Sequence, residues 1–192
     1  MIKTLASATA AALLLAGTAH AAAVNVDALA DSYNSGTGTG VTAATLSAGE
    51  SFSVTVAAGD LWSAGALPRW SNADGLTGNL FATGTDESGQ AAGTLIGQDF
   101  GLFSTSDGAF AYGELVGRIG TGPYFAVGTN YTGTAASGGV LDLFYWDSFS
   151  GDNTGSVIAE VTTVPEPASL ALLLAGLATI GGLARRRARN RT

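Results

Sequence analysis

The chain has 192 residues, a formal net charge of −7 and no cysteine, which excludes a disulfide framework and a thiolate metal site. Residues 23–163 hold 14 acidic residues against two basic ones, Arg69 and Arg118, and contain no histidine or lysine. This composition excludes Ser-His-Asp triads, Schiff-base lysines and histidine-rich zinc sites, and the net charge of −12 over the segment excludes nucleic acid as a partner.

The first segment, residues 1–22, predicts a secretory signal peptide. It carries Lys3, then an apolar run rich in alanine and leucine, then the small-residue pattern Ala19-His20-Ala21. Signal peptides have this order of charged, apolar and small residues, and the run is too short for a stable membrane span. We therefore expect export, with cleavage after Ala21 or Ala22. A buried N-terminal helix is the alternative.

The body, residues 23–163, predicts a single all-β domain. Short apolar runs with alternating polarity are bounded by Gly, Asp, Asn or Pro, which is typical of strands joined by turns. The glycine-rich segment 71–109 lacks this alternation and predicts long loops with one or two short strands. No amphipathic helix pattern is present, so we expect a β-sandwich. The predicted strands are residues 41–46, 52–57, 114–120, 124–128, 140–146 and 156–161.

A turn rich in side-chain oxygen follows the predicted strand 140–146. Asp147, Asp152 and Asn153 lie within a few residues, beside glycine and serine. Calcium takes about six to eight oxygens from carboxylates, amides and backbone carbonyls, so this turn is a candidate calcium site. The spacing is not that of an EF-hand. A solvated turn is the alternative, because Asp, Asn, Gly and Ser are ordinary turn residues.

Three blocks of the body follow one family pattern in order. They read SAGESFSVTVAAGDLWSAGALPRW, GELVGRIG and GGVLDLFYWDSFSGDNTGSVIAEV. In these blocks the chain resembles the calcium-dependent galactose-binding lectins of the PA-IL type. The resemblance implies a jelly-roll-like β-sandwich of the galactose-binding-domain-like kind.

The same resemblance implies a set of calcium ligands. Asp147 matches the family's bridging aspartate, which contacts both the metal and the sugar. Asp152 and Asn153 match the paired side-chain ligands of the family. Backbone carbonyls at Ala64 and near Ser150 match its two carbonyl ligands.

The sugar-binding part of the family pattern is incomplete in this chain. The family's histidine contact has no counterpart, since the body has no histidine, and the segment 71–112 is longer than its family equivalent. We expect Asp147, Asp152 and the ring of Trp146 to contact the ligand, because aromatic faces pack on sugar C–H groups. Core packing is the alternative for Trp146, as it is for Trp62 and Trp70.

The last segment, residues 164–192, has three parts: a Val-Pro-Glu-Pro motif, an apolar run over 168–184 and an arginine cluster. The prolines prevent a helix through the motif, the apolar run is at the short limit for a membrane span, and arginines beyond a span hold that end in the cytoplasm. This order resembles the PEP-CTERM sorting signal. The sorting residues are Val164, Pro165, Glu166, Pro167, Arg185, Arg186 and Arg187.

The sorting signal implies exosortase as a partner. We expect the precursor to be held in the inner membrane by its C-terminal helix, with the body in the periplasm. Processing would then release the protein to the cell surface or extracellular matrix. A permanent single-span anchor is the alternative.

Three functions follow from these features. The first is a non-enzymatic module that binds carbohydrate, such as exopolysaccharide, through calcium. The second is a structural matrix or biofilm protein without a small ligand. The third is a glycosidase with two carboxylates ~5–10 Å apart, which is disfavoured because the body is small and no motif marks such a pair.

Overall fold

The computed structural model describes residues 19–164 and the isolated positions 176, 177, 179 and 180. The chain divides into two compact units, Ala19–Pro165 on one hand and Met1–Thr18 with Glu166–Thr192 on the other. Most of the predicted signal peptide therefore lies outside the described residues. So does the predicted sorting helix, apart from the four isolated positions, which are helical. No helix within the described ranges has the length and apolar character needed to cross a membrane.

The described part of Ala19–Pro165 consists of strands and two short 3-10 helices. The all-β class predicted from the sequence is confirmed. In chain order the elements are β1 (His20–Asp27), a 3-10 helix (Asn34–Gly36), β2 (Val41–Leu46), β3 (Ser51–Val56), β4 (Trp62–Ser63), β5 (Trp70–Ser71), β6 (Leu80–Phe81), β7 (Leu95–Gly97), β8 (Leu102–Thr105), β9 (Gly108–Ala111), β10 (Leu115–Ile119), β11 (Tyr124–Ala126), β12 (Asn130–Thr134), β13 (Gly139–Tyr145), a second 3-10 helix (Ser150–Asp152) and β14 (Thr154–Val164).

Two antiparallel sheets face each other as a sandwich. The first runs in the order β12-β3-β14-β4-β5, and β1 pairs with the other edge of β14. The second runs β11-β10-β13-β2. Two small hairpins, β6–β7 and β8–β9, lie outside these sheets. Strand β1 begins at His20, so cleavage after Ala21 or Ala22 would leave most of its pairing with β14 intact.

The core lies between the two sheets and follows the two-residue period of the strands. In β3, Phe52, Val54 and Val56 are buried, and the residues between them are more exposed. Burial of this apolar surface contributes about 25 cal/mol per Å² to stability. The same cluster includes Val157, Ala159 and Val161 of β14 and Leu115, Leu141, Leu143 and Tyr145 of the second sheet.

An aromatic cluster covers the outer face of the second sheet. Trp146 and Phe144 are fully buried there, against Tyr33 and the β8–β9 hairpin. The ring of Trp146 stacks on Tyr33 with centroids 4.0 Å apart, and its Nε1 donates a hydrogen bond to the Phe103 carbonyl over 2.9 Å. The prediction that Trp146 presents its ring to a sugar is therefore wrong. Trp62 is buried as well, in the main core.

The segment 71–109 is more regular than its composition suggests. We predicted one or two short strands, but β6, β7, β8 and the first half of β9 lie there. The alternation is weak because the strands are short and only a few of their side chains pack inward. Phe103 and Phe110 are the residues of the β8–β9 hairpin that pack against the aromatic cluster.

Truncation of Trp146 should destabilise the sandwich. We expect Trp146→Ala to lower the free energy of unfolding by about 3–5 kcal/mol, as large-to-small changes at buried aromatic positions do. Leu102→Ala is the control, because Leu102 lies in the β8–β9 hairpin that packs against Trp146 but is itself 63% exposed. Chemical denaturation of the full chain in detergent measures both. Equal midpoints for the two variants would contradict the placement of Trp146 in the core.

Candidate functional site

The pairing of β14 with β4 brings two of the predicted ligand segments together. Thr154 lies opposite Ser63 in this antiparallel register. The next residues in register are Asn153 and Ala64. Asp147 follows the end of β13, which lies in the opposite sheet. The predicted ligands from the two sheets therefore meet at one end of the sandwich.

The β4–β5 hairpin fixes the position of Ala64 relative to Arg69. The Ala64 N–H donates to the Arg69 carbonyl over 3.0 Å, which continues the ladder beyond the strands. Ser63 Oγ donates to the Gly65 carbonyl over 2.8 Å and tightens the turn. As a result the Arg69 side chain reaches back, and its Nη1 donates to the Ala64 carbonyl over 3.4 Å.

These segments surround a cavity of about 150 Å³. Three of the predicted site residues, Ala64, Asp147 and Asp152, line it. The lining is mixed, with carboxylates, one guanidinium and aromatic rings. The remaining lining residues are Arg69, Phe100, Tyr112, Ser148 and Phe149.

Asp147 is a buried carboxylate, with only 5% of the residue exposed. Its Oδ1 accepts a hydrogen bond from the Ser148 N–H over 2.6 Å. Burial raises the pKa of the Asp147 carboxyl above its ordinary value, and the neighbouring Asp152 carboxylate adds to the rise. Hydrogen bonds from the local backbone and from the Asn153 side chain lower the same pKa. A buried carboxylate beside a second one favours a cation in its vicinity.

Asn153 is buried behind Asp147 and keeps one unpartnered oxygen. Its Nδ2 donates to the Ala28 carbonyl over 3.0 Å, which ties the loop to the end of β1. Its Oδ1 is buried and has no hydrogen-bond partner among the described residues. A buried acceptor left in this state costs about 1–3 kcal/mol, and a bound cation would remove that cost.

Asp152 lies on the more open side of the cavity, with 48% of its side chain exposed. Its Oδ2 is 3.8 Å from Nη1 of Arg69. The same oxygen packs directly over Gly65, whose φ of +113° suits glycine. A Cβ at position 65 would overlap this carboxylate oxygen.

Ser150 lies apart from the cavity lining. Its carbonyl accepts the Asn153 N–H over 3.1 Å within the 3-10 helix Ser150–Asp152. Of the five predicted metal ligands, the structure thus brings Ala64, Asp147 and Asp152 to one cavity. It holds the Asn153 amide against Asp147 and directs the Ser150 carbonyl into the turn.

The chemistry of this oxygen set fits a hard cation. Carboxylates, an amide oxygen and a backbone carbonyl are ligands that calcium prefers over softer metals. Within the described residues, no three His, Cys, Asp or Glu side chains gather at one point. A cation here would therefore depend on Ala64 and Asn153 as well as on the two carboxylates, with Asp147 as the buried anchor.

Sequence reasoning missed several residues of this cavity. Arg69 contacts two of the predicted ligands, Ala64 and Asp152. The sequence marked it only as one of two basic residues in the body. Phe100 and Tyr112 come from the long segment 71–112, which reaches the site. Phe149 was treated only as part of the turn, although it is 64% exposed at the cavity.

Comparison with known protein families identifies the C-terminal segment. Residues 163–188 match the PEP-CTERM protein-sorting motif, which confirms the sorting signal predicted from residue 164 onward. The motif makes this an exported protein targeted by exosortase to the cell surface, held at its C terminus in the membrane before processing. A search of curated proteins finds no match.

Among solved structures, the chain is similar to one described as "EclA N-terminal domain; PllA-like lectin". The two share 22% sequence identity, with a TM-score of 0.43. The alignment covers 73% of this chain and 94% of that chain.

Gly65 offers a direct test of the position of Asp152. We expect Gly65→Ala to displace the Asp152 carboxylate and to weaken calcium binding ~10–100-fold, the usual effect of disturbing a group that orients a ligand. Gly93→Ala is the matched control, because Gly93 also has a positive φ, +83°, but a Cβ there would meet no atom within 4 Å. Calcium titration followed by calorimetry on the full chain distinguishes the two. Equal calcium affinities would mean that Asp152 is not a ligand.

Proposed function

We propose that this chain is an exosortase-sorted surface protein whose β-sandwich binds carbohydrate through a calcium ion, and that it is a binding module rather than an enzyme. One observation supports this best: Asp147, Asp152 and Ala64 line one cavity, and Asn153, buried next to Asp147, has an Oδ1 without a hydrogen-bond partner among the described residues. This combination places a buried negative charge close to a buried amide oxygen that has no donor among the described residues.

Calcium explains the polar loop better than a solvated turn does. A solvated turn exposes its carboxylates and amides to water, whereas Asp147 and Asn153 are 5% and 3% exposed. Their burial costs free energy unless a partner of opposite charge is present. The body's net charge of −12 also attracts divalent cations to its surface.

A sugar would complete the coordination of the ion. Calcium takes about six to eight oxygens, more than the side chains of Asp147, Asp152 and Asn153 with the Ala64 carbonyl supply as single ligands. The remaining positions suit vicinal hydroxyl groups of a sugar on the open side. Phe100 and Phe149, 47% and 64% exposed, can pack on sugar C–H faces in the role first assigned to Trp146.

The polymer bound would be an extracellular polysaccharide at the surface to which the protein is sorted. Each site makes few contacts, so a single site binds weakly. Many copies of the protein on one surface would hold a repeating polymer through many weak sites. A structural matrix protein with no ligand is the competing function.

Substitutions in the Pro-Glu-Pro motif test whether it directs sorting. The triple variant Pro165→Ala, Glu166→Ala and Pro167→Ala should remain unprocessed in the membrane of a host that carries an exosortase. Thr162→Ala, placed just before the motif, should be processed like the natural chain. Mass spectrometry of membrane and released fractions measures both. Release of the triple variant with the natural mass would contradict sorting through this motif.

The carbohydrate part is tested on columns of immobilised polysaccharides, where many sites act together. We expect the full chain, in detergent, to be retained on a hydroxyl-rich polysaccharide in millimolar calcium and to elute with chelator. Asp147→Asn and Asp152→Ala should abolish retention, because each removes a carboxylate from the cavity.

Asp60→Asn is a matched control for the loss of one carboxylate, since Asp60 does not line the cavity. It should be retained like the natural chain. Equal retention in calcium and in chelator would reject calcium-dependent binding. No retention on any polysaccharide would favour the structural matrix protein.

A further inference from the structure

Arg69 is one of the two basic residues of a strongly negative body. Residues 23–163 hold only one other basic residue, Arg118, whose guanidinium lies against the rings of Tyr124 and Phe144 in the second sheet. Arg69 instead lines the cavity that contains Asp147 and Asp152. Of the two basic residues of the body, Arg69 is therefore the one at the candidate ligand site.

Packing holds the Arg69 guanidinium in place, but most of its N–H groups make no polar contact among the described residues. Its carbon lies 4.6 Å above the centre of the Phe100 ring, so one face is supported. Only Nη1 has a polar contact among the described residues, 3.4 Å from the Ala64 carbonyl and 3.8 Å from Asp152. The second distance exceeds that of a hydrogen bond. With 37% of the side chain exposed, the other N–H groups face a ligand or solvent.

The aromatic support comes from the long segment 71–112. Phe100 packs edge-on against Tyr112, with ring centroids 5.1 Å apart, and both line the cavity. The Phe100 N–H donates to the Leu76 carbonyl over 3.1 Å, which anchors the ring's backbone. The segment therefore holds the Arg69 side chain at the cavity by packing on it.

Charge at the cavity changes sign when a divalent cation binds. Two carboxylates and one guanidinium give a formal charge of −1, and an added divalent ion makes it +1. An anionic ligand is repelled in the first state and attracted in the second. In both states the flat fork of N–H groups on Arg69 matches the geometry of a carboxylate.

We propose that Arg69 makes this site selective for acidic sugars, with the guanidinium binding the carboxylate of a hexuronate while its hydroxyl groups bind the calcium ion. The inference rests on the proposed calcium-dependent carbohydrate binding and adds the class of sugar. Arg69 is the specificity residue and Phe100 its support. Binding of an acidic polymer by a body of net charge −12, residues 23–163, then requires both cations, the metal and Arg69.

The test compares paired sugars that differ only at carbon 6. Beads carry galactose or galacturonate, glucose or glucuronate, and mannose or mannuronate at equal density. In millimolar calcium the full chain should prefer at least one hexuronate over its hexose by roughly tenfold or more, as expected for a charge-assisted contact. Arg69→Gln should reduce that preference to about twofold or less, and Arg69→Lys should lie between, because a lysine lacks the planar fork.

Two measurements make the result specific. Asn25→Asp changes the net charge by the same amount as Arg69→Gln, at an exposed position of β1, and should keep the preference. Calorimetric calcium titration should give Arg69→Gln an affinity equal to or above that of the natural chain, because a positive neighbour of the ion is removed.

The outcomes separate this inference from the function on which it rests. Calcium-dependent binding of hexoses and hexuronates with equal strength would overturn the selectivity and leave the proposed function standing. A preference that survives in Arg69→Gln would also overturn it. Absence of binding to every sugar, or the same binding in chelator, would overturn both proposals.

Discussion

Strand β14 is hydrogen-bonded along both of its edges, and the placement of the candidate site follows from that pairing. All of β1 pairs with one edge of β14, and β3 and β4 pair one after the other with the opposite edge. The register with β4 fixes Ala64 beside Asn153, while the loop from β13 has to cross between the sheets to reach Thr154. Asp147 begins that loop, so residues that follow strands of both sheets line one cavity.

Burial of polar groups in this loop costs electrostatic free energy, and neighbouring residues at this end of the sandwich offset part of that cost. Asp147 is buried next to a second carboxylate, and the buried Oδ1 of Asn153 has no donor in the part of the chain that the structure describes. The Arg69 guanidinium offsets part of this negative charge through Ala64 and Asp152, and Phe100 holds the guanidinium in place. A divalent ion would offset the remainder. The segment 71–112, outside the two main sheets, serves this site and also covers Trp146.

The sequence was informative where side-chain patterns are local. Alternation in β3 and β13 identified core strands, but the alanine-rich β1 and the polar β12 have no comparable pattern, because their partners supply most of the apolar surface. Asp147 and Asp152 were predicted as ligands from the density of side-chain oxygen in one turn, and the family resemblance implied the same residues. The burial of Trp146 and the contact of Arg69 with the Ala64 carbonyl depend on long-range pairing with a glycine-rich segment, which leaves no local signal.

The most direct test of the central claim is anomalous diffraction from crystals of the chain grown in calcium and collected where calcium scatters anomalously. A calcium ion in the cavity should give one peak about 2.3–2.6 Å from carboxylate oxygens of Asp147 and Asp152 and from the Ala64 carbonyl. The Asn153 Oδ1 should lie at the same distance. A map with no peak in this cavity at millimolar calcium, or with the Arg69 guanidinium at that point, would rule out the calcium site.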